Sequence, residues 1–504
     1  MQQAPHLPLI ERAEKYQKGT AIIAGEGVFT YQQLLESSGK VASYLLDRTD
    51  HLKEKCVAFL TPVGFHYVAT QWGVWRAGGI VVPLSPLHPT PELEYFIDNS
   101  TSSIVVVHPV FEEKLRPLAK DRGLRFILTT DALGADQTDL PKIDVNRRAM
   151  ILYTSGTTSK PKGVVTTHQN IQAQVTSLVE AWEWRSDDHI LHVLPLHHVH
   201  GIINVLTCAL WVGAICKFLP KFDAKEVWSS ITKGNLTLFM AVPTIYEKLI
   251  KFWQDSSTEE QKLMSNACSK LRLMVSGSAA LPVRTLEEWK KISGHILLER
   301  YGMTEVGMAL SNPLHGQRRP GYVGTPLPNV EVRLVDDNHN LVGDGIEGEI
   351  QVKGPGVFLE YWGNAEATKN AFDDGWFCTG DIAIKEDGIY RILGRSNIDI
   401  IKTGGYKVSA IEIEEVLNNH PLIKACAVVG IKDQEWGERV CAALVLKDQA
   451  NLTLDSLRTW AKEKLAPYKI PKQILIVDDF PRNALGKIIK PYVIEIFKSK
   501  ERML

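Results

Sequence analysis

Residues 151–163 read Ile-Leu-Tyr-Thr-Ser-Gly-Thr-Thr-Ser-Lys-Pro-Lys-Gly. The apolar run Met150 to Tyr153 predicts a strand. It feeds a loop rich in hydroxyls: Thr154, Ser155, Thr157, Thr158 and Ser159. Gly156 frees the backbone to curl, and Lys160 and Lys162 add positive charge. Amides exposed in such a curl form a concave anion site, and the hydroxyls supply further donors, which suits a polyphosphate. It is not a Walker A loop, because no Gly-Lys-Ser/Thr follows at the spacing that motif needs. Alone, such a run reads as a polar hairpin loop. The segments that follow it decide otherwise.

The chain has 504 residues, more than one hydrophobic core usually serves, so two or more domains are expected. Hydrophobic residues make up 44% and charged residues 23%, ordinary for a soluble enzyme. Lys+Arg is 57 and Asp+Glu 58, a net charge of −1, which argues against a nucleic-acid surface or a polybasic membrane tether. Cys56, Cys208, Cys216, Cys268, Cys378, Cys426 and Cys441 are an odd, scattered set without Cys-x-x-Cys, so free thiols in a reducing compartment are expected. Met1 to Arg12 has no apolar signal core, and the uncharged run Val199 to Cys216 is too polar and short for a membrane span. A cytoplasmic enzyme is expected, or the mature form of a mitochondrial one. Oligomeric state has no signature here.

Strand and helix patterns alternate. Short β runs at Cys56–Leu60, Ile80–Leu84, Ser103–Val107 and Arg125–Thr129 surround a helix over Phe65–Arg76, and Thr30 is placed to cap the helix after it. The pattern returns at Ile190–Leu194, Thr237–Val242 and Arg272–Ser276, with a helix after Gly201. This predicts an α/β fold with parallel sheets covered on both faces. Asn329–Leu341 and Gly348–Lys353 read as a small antiparallel sheet or barrel. Beyond Gly394–Lys402, helices at Ile411–Leu417 and Leu454–Leu465 and strands at Ala425–Val429, Val440–Val445 and Gln473–Val477 predict a compact α+β unit.

Four further segments follow the hydroxyl-rich loop: Tyr301-Gly302-Met303-Thr304-Glu305, Gly375 to Asp381, Gly394-Arg395 with Gly404-Gly405-Tyr406, and Pro481 to Lys487. Five such segments in this order resemble the adenylate-forming superfamily of acyl-CoA synthetases, peptide-synthetase adenylation domains and beetle luciferases. The resemblance runs from about Phe29 to Lys490. It implies an AMP-binding unit over 1–394, a hinge over 395–402 and a mobile lid over 403–504. It implies ATP, Mg2+ and coenzyme A as cofactors. Activating a carboxylate with ATP puts charge on nonbridging phosphate oxygens, so cations and amide donors must converge there. In that chemistry Thr154, Ser155, Gly156, Thr157, Thr158 and Lys162 would clamp the departing pyrophosphate, and Glu305 would hold magnesium, with Thr304 on the α-phosphate. Lys487 would be the mobile cation that meets both carboxylate and phosphate. Asp381 and Arg395 would hold the ribose, Tyr301 with Gly302 the adenine face, and the Ser276-Gly277-Ser278 turn the base edge. Thiolysis would follow a rotation that presents Gly404, Gly405 and Tyr406 to coenzyme A. Two departures stand out. Ser159 replaces a usual glycine, and one inserted residue leaves the hinge position on Asn397 or Ile398, with Asp399 fitting the acidic residue after it.

The acyl pocket is expected around His200 and Met303. Arg300 precedes Tyr301 where most relatives have glycine. A buried arginine without a partner is costly, so a fork of donors aimed into this pocket fits a second carboxylate on the substrate. Lys248, one turn after Thr244, is a candidate second cation. Leu194 to Gly201, Glu299 to Glu305 and Ile400 to Ser409 resemble malonyl-CoA synthetases, which implies malonate, with methylmalonate as a weaker substrate. The nearest alternative keeps the fold and takes a fatty or aromatic acid in an apolar pocket. A carrier-loading adenylation domain, a luciferase-type oxygenase and a decayed binding protein are weaker readings.

Overall fold

The structure is a computed structural model and describes residues 7–154, 161–396, 398–433, 436–447, 450–483 and 486–501. Ser155, Gly156, Thr157, Thr158, Ser159, Lys160, Asn397, Ala484 and Leu485 lie outside the described residues.

The unbroken apolar runs form parallel strands, because only a strand covered on both faces can bury every side chain. Cys56–Leu60, Ile80–Pro83 and Ile104–Val107 are buried along their whole length. They pair in parallel, with Arg125–Leu128 and Arg148–Thr154 extending the sheet on either side. Lys162–Thr167 turns back antiparallel on Arg148–Thr154, and Glu360–Tyr361 closes that edge. A second sheet runs Thr325–Pro326, Gly307–Ser311, Leu298–Met303, Leu273–Ser276, Leu238–Ala241, His189–His192, Ile215–Phe218, Thr20–Ala24 and Gly27–Thr30. Its interior, from Leu298–Met303 to Thr20–Ala24, is parallel, and antiparallel strands close both edges. One continuous core joins residues of both sheets and includes Trp72, Trp75, Trp182, Trp228 and Trp289.

Local signals hold where they were strongest. The helix over Phe65–Arg76 has those bounds. Thr30 caps the helix Tyr31–Leu46 through a reciprocal pair: Gln33 N donates to Thr30 Oγ1 at 3.2 Å, and Thr30 N donates to Gln33 Oε1 at 2.8 Å. The helix after Gly201 differs from the regular one expected. His200–Thr207 is a π-helix, wider than α, and passes into an α-helix at Cys208–Val212. The wider coil brings Gly201 against the Pro195 carbonyl, and its own carbonyl lies 3.0 Å from His192 Nε2. Such segments recur at functional sites.

The antiparallel sheet expected near Asn329–Lys353 is built from Glu331–Val335, Glu347–Lys353, Trp376–Glu386 and Ile389–Arg395, with the short Phe372–Asp373. The last sheet comprises Ile400–Thr403, Tyr406–Ser409, Ile423–Asp433, Gly437–Leu446 and Gln473–Ile476. It has its own apolar clusters, from Ile401 to Phe497. Strands run up to Arg395 and resume at Ile400, and the link between these two sheets lies between them.

Candidate active site

The sites collect at the carboxyl ends of parallel strands, where open α/β sheets bind ligands. Thr154 ends one strand and faces Lys162 across the hairpin. Lys162 Nζ lies 4.9 Å from the centroid of the Tyr361 ring, and Tyr361 Oη donates to Glu305 Oε1 at 3.0 Å. The hairpin that carries the hydroxyl-rich loop therefore stands beside the buried carboxylate of Glu305. Burial raises the Glu305 carboxyl, and the charge of Asp381 adds to the rise. Such a carboxylate gains from a nearby cation. Among the described residues no cluster of three His, Cys, Asp or Glu side chains forms a metal cage. One carboxylate suits magnesium, which keeps waters and takes most of its remaining ligands from substrate phosphates.

Asp381 is the hub of the next cluster. Arg395 Nε pairs with Asp381 Oδ1 at 2.9 Å, and Tyr301 Oη donates to Asp381 Oδ2 at 2.6 Å. Each carboxylate oxygen has a second acceptor site, so vicinal hydroxyls can still bond there. Burial raises the Asp381 carboxyl, while Arg395, Tyr301 and Lys487 pull it down. The Lys487 charge thus reaches both Asp381 and Asp399. Lys487 is held in a tight turn: its N–H donates to Asn483 Oδ1 at 3.0 Å, and Asn483 N donates to the Lys487 carbonyl at 2.9 Å. Gly486 in that turn has φ +76°, and a Cβ there would sit 2.7 Å from Thr244 Oγ1. Only glycine lets this loop press on the helix Pro243–Gln254.

Arg300, expected on the acyl side, is 3% exposed. Its guanidinium lies against Gly277, where a Cβ would stand 2.6 Å from Cζ. Arg300 Nη2 donates to Ser278 Oγ at 3.4 Å, and Ser278 Oγ lies 3.1 Å from His200 Nδ1. The Ser278 hydroxyl thus bridges the guanidinium and the imidazole. Burial, then the Arg300 charge, push the His200 pKa well down, so the ring is neutral. His200 Nε2, Arg300 Nε and Ser276 Oγ are buried with no hydrogen-bond partner. Burial lowers the Arg300 guanidinium to about 9, which leaves it cationic at neutral pH. Glu299 does not pair with it: one oxygen accepts from Leu281 N at 3.1 Å and the other has no partner. Burial raises the Glu299 carboxyl to about 8, so it is protonated at neutral pH. An enclosed guanidinium that makes no ion pair with the adjacent acid, in a buried region that holds unpaired polar atoms, can accept an anion.

Two expectations fare differently. Lys248 does not join this cluster. Ile245, Tyr246 and Leu249 set the buried face of its helix, so Lys248 is exposed, with Nζ 5.6 Å from the Phe222 ring centroid. The Gly404-Gly405-Tyr406 turn is also exposed. Tyr406 stacks on Tyr468 with centroids 4.2 Å apart, and Lys407 Nζ pairs with Asp337 Oδ2 at 2.7 Å. Thr304 and Met303 are half-buried beside Glu305. Tyr361 was missed by sequence reasoning. It belongs to no quoted motif and meets Glu305 only because Glu360–Tyr361 pairs with Val164–Val165.

A family model described as AMP-binding enzyme matches residues 9–362, and its C-terminal domain matches residues 412–487. The chain belongs to the AMP-binding enzyme family. Among curated AMP-binding enzymes, the mitochondrial malonate–CoA ligase ACSF3 of Mus musculus is 45% identical, covering 98% of this chain and 92% of that protein. The malonate–CoA ligase of Arabidopsis thaliana is 40% identical over 95% of this chain and 86% of its own. The crystal structure of ATP-bound MatB from Rhodopseudomonas palustris superposes with a TM-score of 0.91 at 33% identity, covering 98% and 99% of the two chains. The o-succinylbenzoate CoA synthetase of Bacillus subtilis with ATP and magnesium gives 0.85 at 26% identity, covering 97% and 99%. The α/β architecture with a smaller C-terminal unit is that of adenylate-forming enzymes. Among the described residues of this AMP-binding enzyme, no helix is long and apolar enough to cross a membrane.

Proposed function

We propose that this enzyme joins malonate to coenzyme A, and methylmalonate more slowly, with cleavage of ATP to AMP and pyrophosphate. The substrate carboxylate attacks the α-phosphorus to give an acyl-adenylate, and the thiol of coenzyme A then displaces AMP. The observation that carries the choice of acid is Arg300, enclosed, joined to His200 through Ser278 and making no ion pair with Glu299. The malonate–CoA ligases among the relatives support the same acid. In this reading Glu305 would hold a magnesium ion, which supplies charge neutralisation on the phosphates. Thr304, Lys162 and the Thr154 loop bind the polyphosphate. Asp381 and Arg395 orient the ribose, and Tyr301 lines the adenine side together with Ser276-Gly277-Ser278. Lys487 bridges carboxylate and phosphate in the first step, and the Gly404–Tyr406 turn serves coenzyme A after residues 403–504 swing about the link. Seven cysteines without a disulfide fit a reducing compartment, cytoplasm or mitochondrial matrix.

Pyrophosphate release with coenzyme A and malonate, methylmalonate, acetate or octanoate tests this assignment. Malonate is expected to lead; octanoate turned over as fast or faster would overturn it in favour of a fatty-acid ligase.

Glu299 adds a pH dependence of known sign. Its folded-state pKa is raised, so its stabilising proton is fully present below the unfolded carboxyl value of 4.5 and is lost as pH rises through about 8. Above that pH a carboxylate forms beside Arg300 and competes with the substrate. A pH profile of kcat/KM for malonate should fall past about 8 as Glu299 ionises and fall again as Arg300 loses its charge at about 9, and Glu299→Gln should remove only the first of these. A fall of the same size in the variant would assign the titration to another group.

A further inference from the structure

The charge network that begins at Asp381 continues beyond the nucleotide site. Arg395, whose side chain pairs with Asp381, donates its backbone N–H to Asp399 Oδ2 at 3.0 Å. Asp399 N donates back to the Arg395 carbonyl at 2.8 Å. These two bonds close the turn that links the third sheet to the fourth. The other Asp399 oxygen, Oδ1, accepts from Lys490 Nζ at 2.6 Å. Lys490 Nζ also pairs with Glu414 Oε1 at 2.8 Å, and that oxygen accepts from Val428 N at 2.7 Å. The side chains are 8%, 11% and 18% exposed for Asp399, Lys490 and Glu414.

The placement of the three along the chain gives the cluster its meaning. Asp399 ends the link, Glu414 lies on the helix Ala410–Leu417, and Lys490 opens the helix Lys490–Glu501. Lys490 follows Lys487 by one short step. The Arg482–Ile488 bridge closes the lysine turn just before that helix begins. Burial alone would raise Asp399, yet Lys490 and the Arg395 N–H hold it below the ordinary range. Burial would lower Lys490, yet Glu414 and Asp399 raise it. The cluster therefore stays ionised. A swing of the C-terminal unit that pivots between Arg395 and Asp399 would break these two bonds. It need not separate Asp399 from Lys490. The Arg395–Asp399 bonds thus belong to the setting in which Lys487 stands near Asp381, and Lys490 fixes the carboxylate that makes one of them.

We infer that Lys490 is a positioning residue for adenylation: its ammonium, shared by Asp399 and Glu414, latches the link so that Lys487 is held beside Asp381. The inference rests on the reading of Lys487 as the adenylation cation. In a merely structural role, loss of Lys490 would loosen the C-terminal unit and weaken both half-reactions alike. As a latch it serves only the first.

The test separates the half-reactions in the full-length enzyme. Malonate-dependent ATP–pyrophosphate exchange reports adenylation, and AMP release from synthetic malonyl-adenylate with coenzyme A reports thiolysis. Lys490→Met is expected to lower exchange kcat at least ~20-fold, the order of effect seen when a group that orients a catalytic residue is removed, with little change in KM for ATP or malonate. Thiolysis should stay within about threefold, because a latch on one setting adds nothing to the other. Asp399→Asn leaves Lys490 paired with Glu414, so it keeps the buried charge balanced and should reproduce the selective loss even where Lys490→Met folds poorly. Equal losses in both half-reactions, or wild-type exchange in Asp399→Asn, would overturn the latch. Wild-type exchange in the same assay guards the parent reading: its failure with malonate refers to the acid, and the variants are then compared with the acid the wild type adenylates.

Discussion

Arg300→Met is expected to lower kcat/KM for malonate by about 10²–10³-fold, the size of effect that charge-assisted, buried recognition carries. The same variant should melt at or above the wild-type temperature. Arg300 is enclosed, its Nε has no partner, and the neighbouring Glu299 carboxyl is protonated at neutral pH. Replacing such a charge by an apolar side chain of similar volume removes a desolvation cost, so stability is held or gained while function is lost. A structural arginine would show the opposite pair of results. Pyrophosphate release and thermal unfolding on the same sample check both halves. Retained malonate turnover with a lowered melting temperature would move Arg300 out of the acyl site.

Lys487→Ala should abolish malonate-dependent pyrophosphate release, a loss of about 10²–10³-fold by analogy with removal of one donor to a developing oxyanion. Thioester formation from preformed malonyl-adenylate should survive, because in the proposed mechanism Lys487 serves only the attack of the carboxylate on the α-phosphorus. The ammonium is exposed and makes no buried pair, so its removal should leave the melting temperature near wild type. Adenylation that persists in this variant would show that another cation meets the α-phosphate.

Much of the fold was legible because local patterns and burial agreed. Ile-Val-Val-Val at 104–107 has no polar face, so a doubly covered parallel strand was the only economical reading. Thr30 and Gln33 capped their helix as the spacing required. Arg300 was legible because it precedes Tyr301 where most relatives have glycine. Lys248 misled, because Thr244 and Lys248 share a helical face but Ile245, Tyr246 and Leu249 decide which face is buried. The π-helix at His200–Thr207 left no trace in periodicity; it depends on the approach of Gly201 to Pro195. Tyr361 and Lys490 act through partners 56 and 91 residues away, and only tertiary pairing reveals such contacts.

Malonate and its monomethyl ester have the same backbone and differ in the distal charge. Side-by-side pyrophosphate release by the wild-type enzyme should favour malonate at least ~100-fold, since a site built to bond a polar group rejects the analogue that lacks it. Equal kcat/KM for the two would contradict the pairing of a buried guanidinium with the far end of the acid.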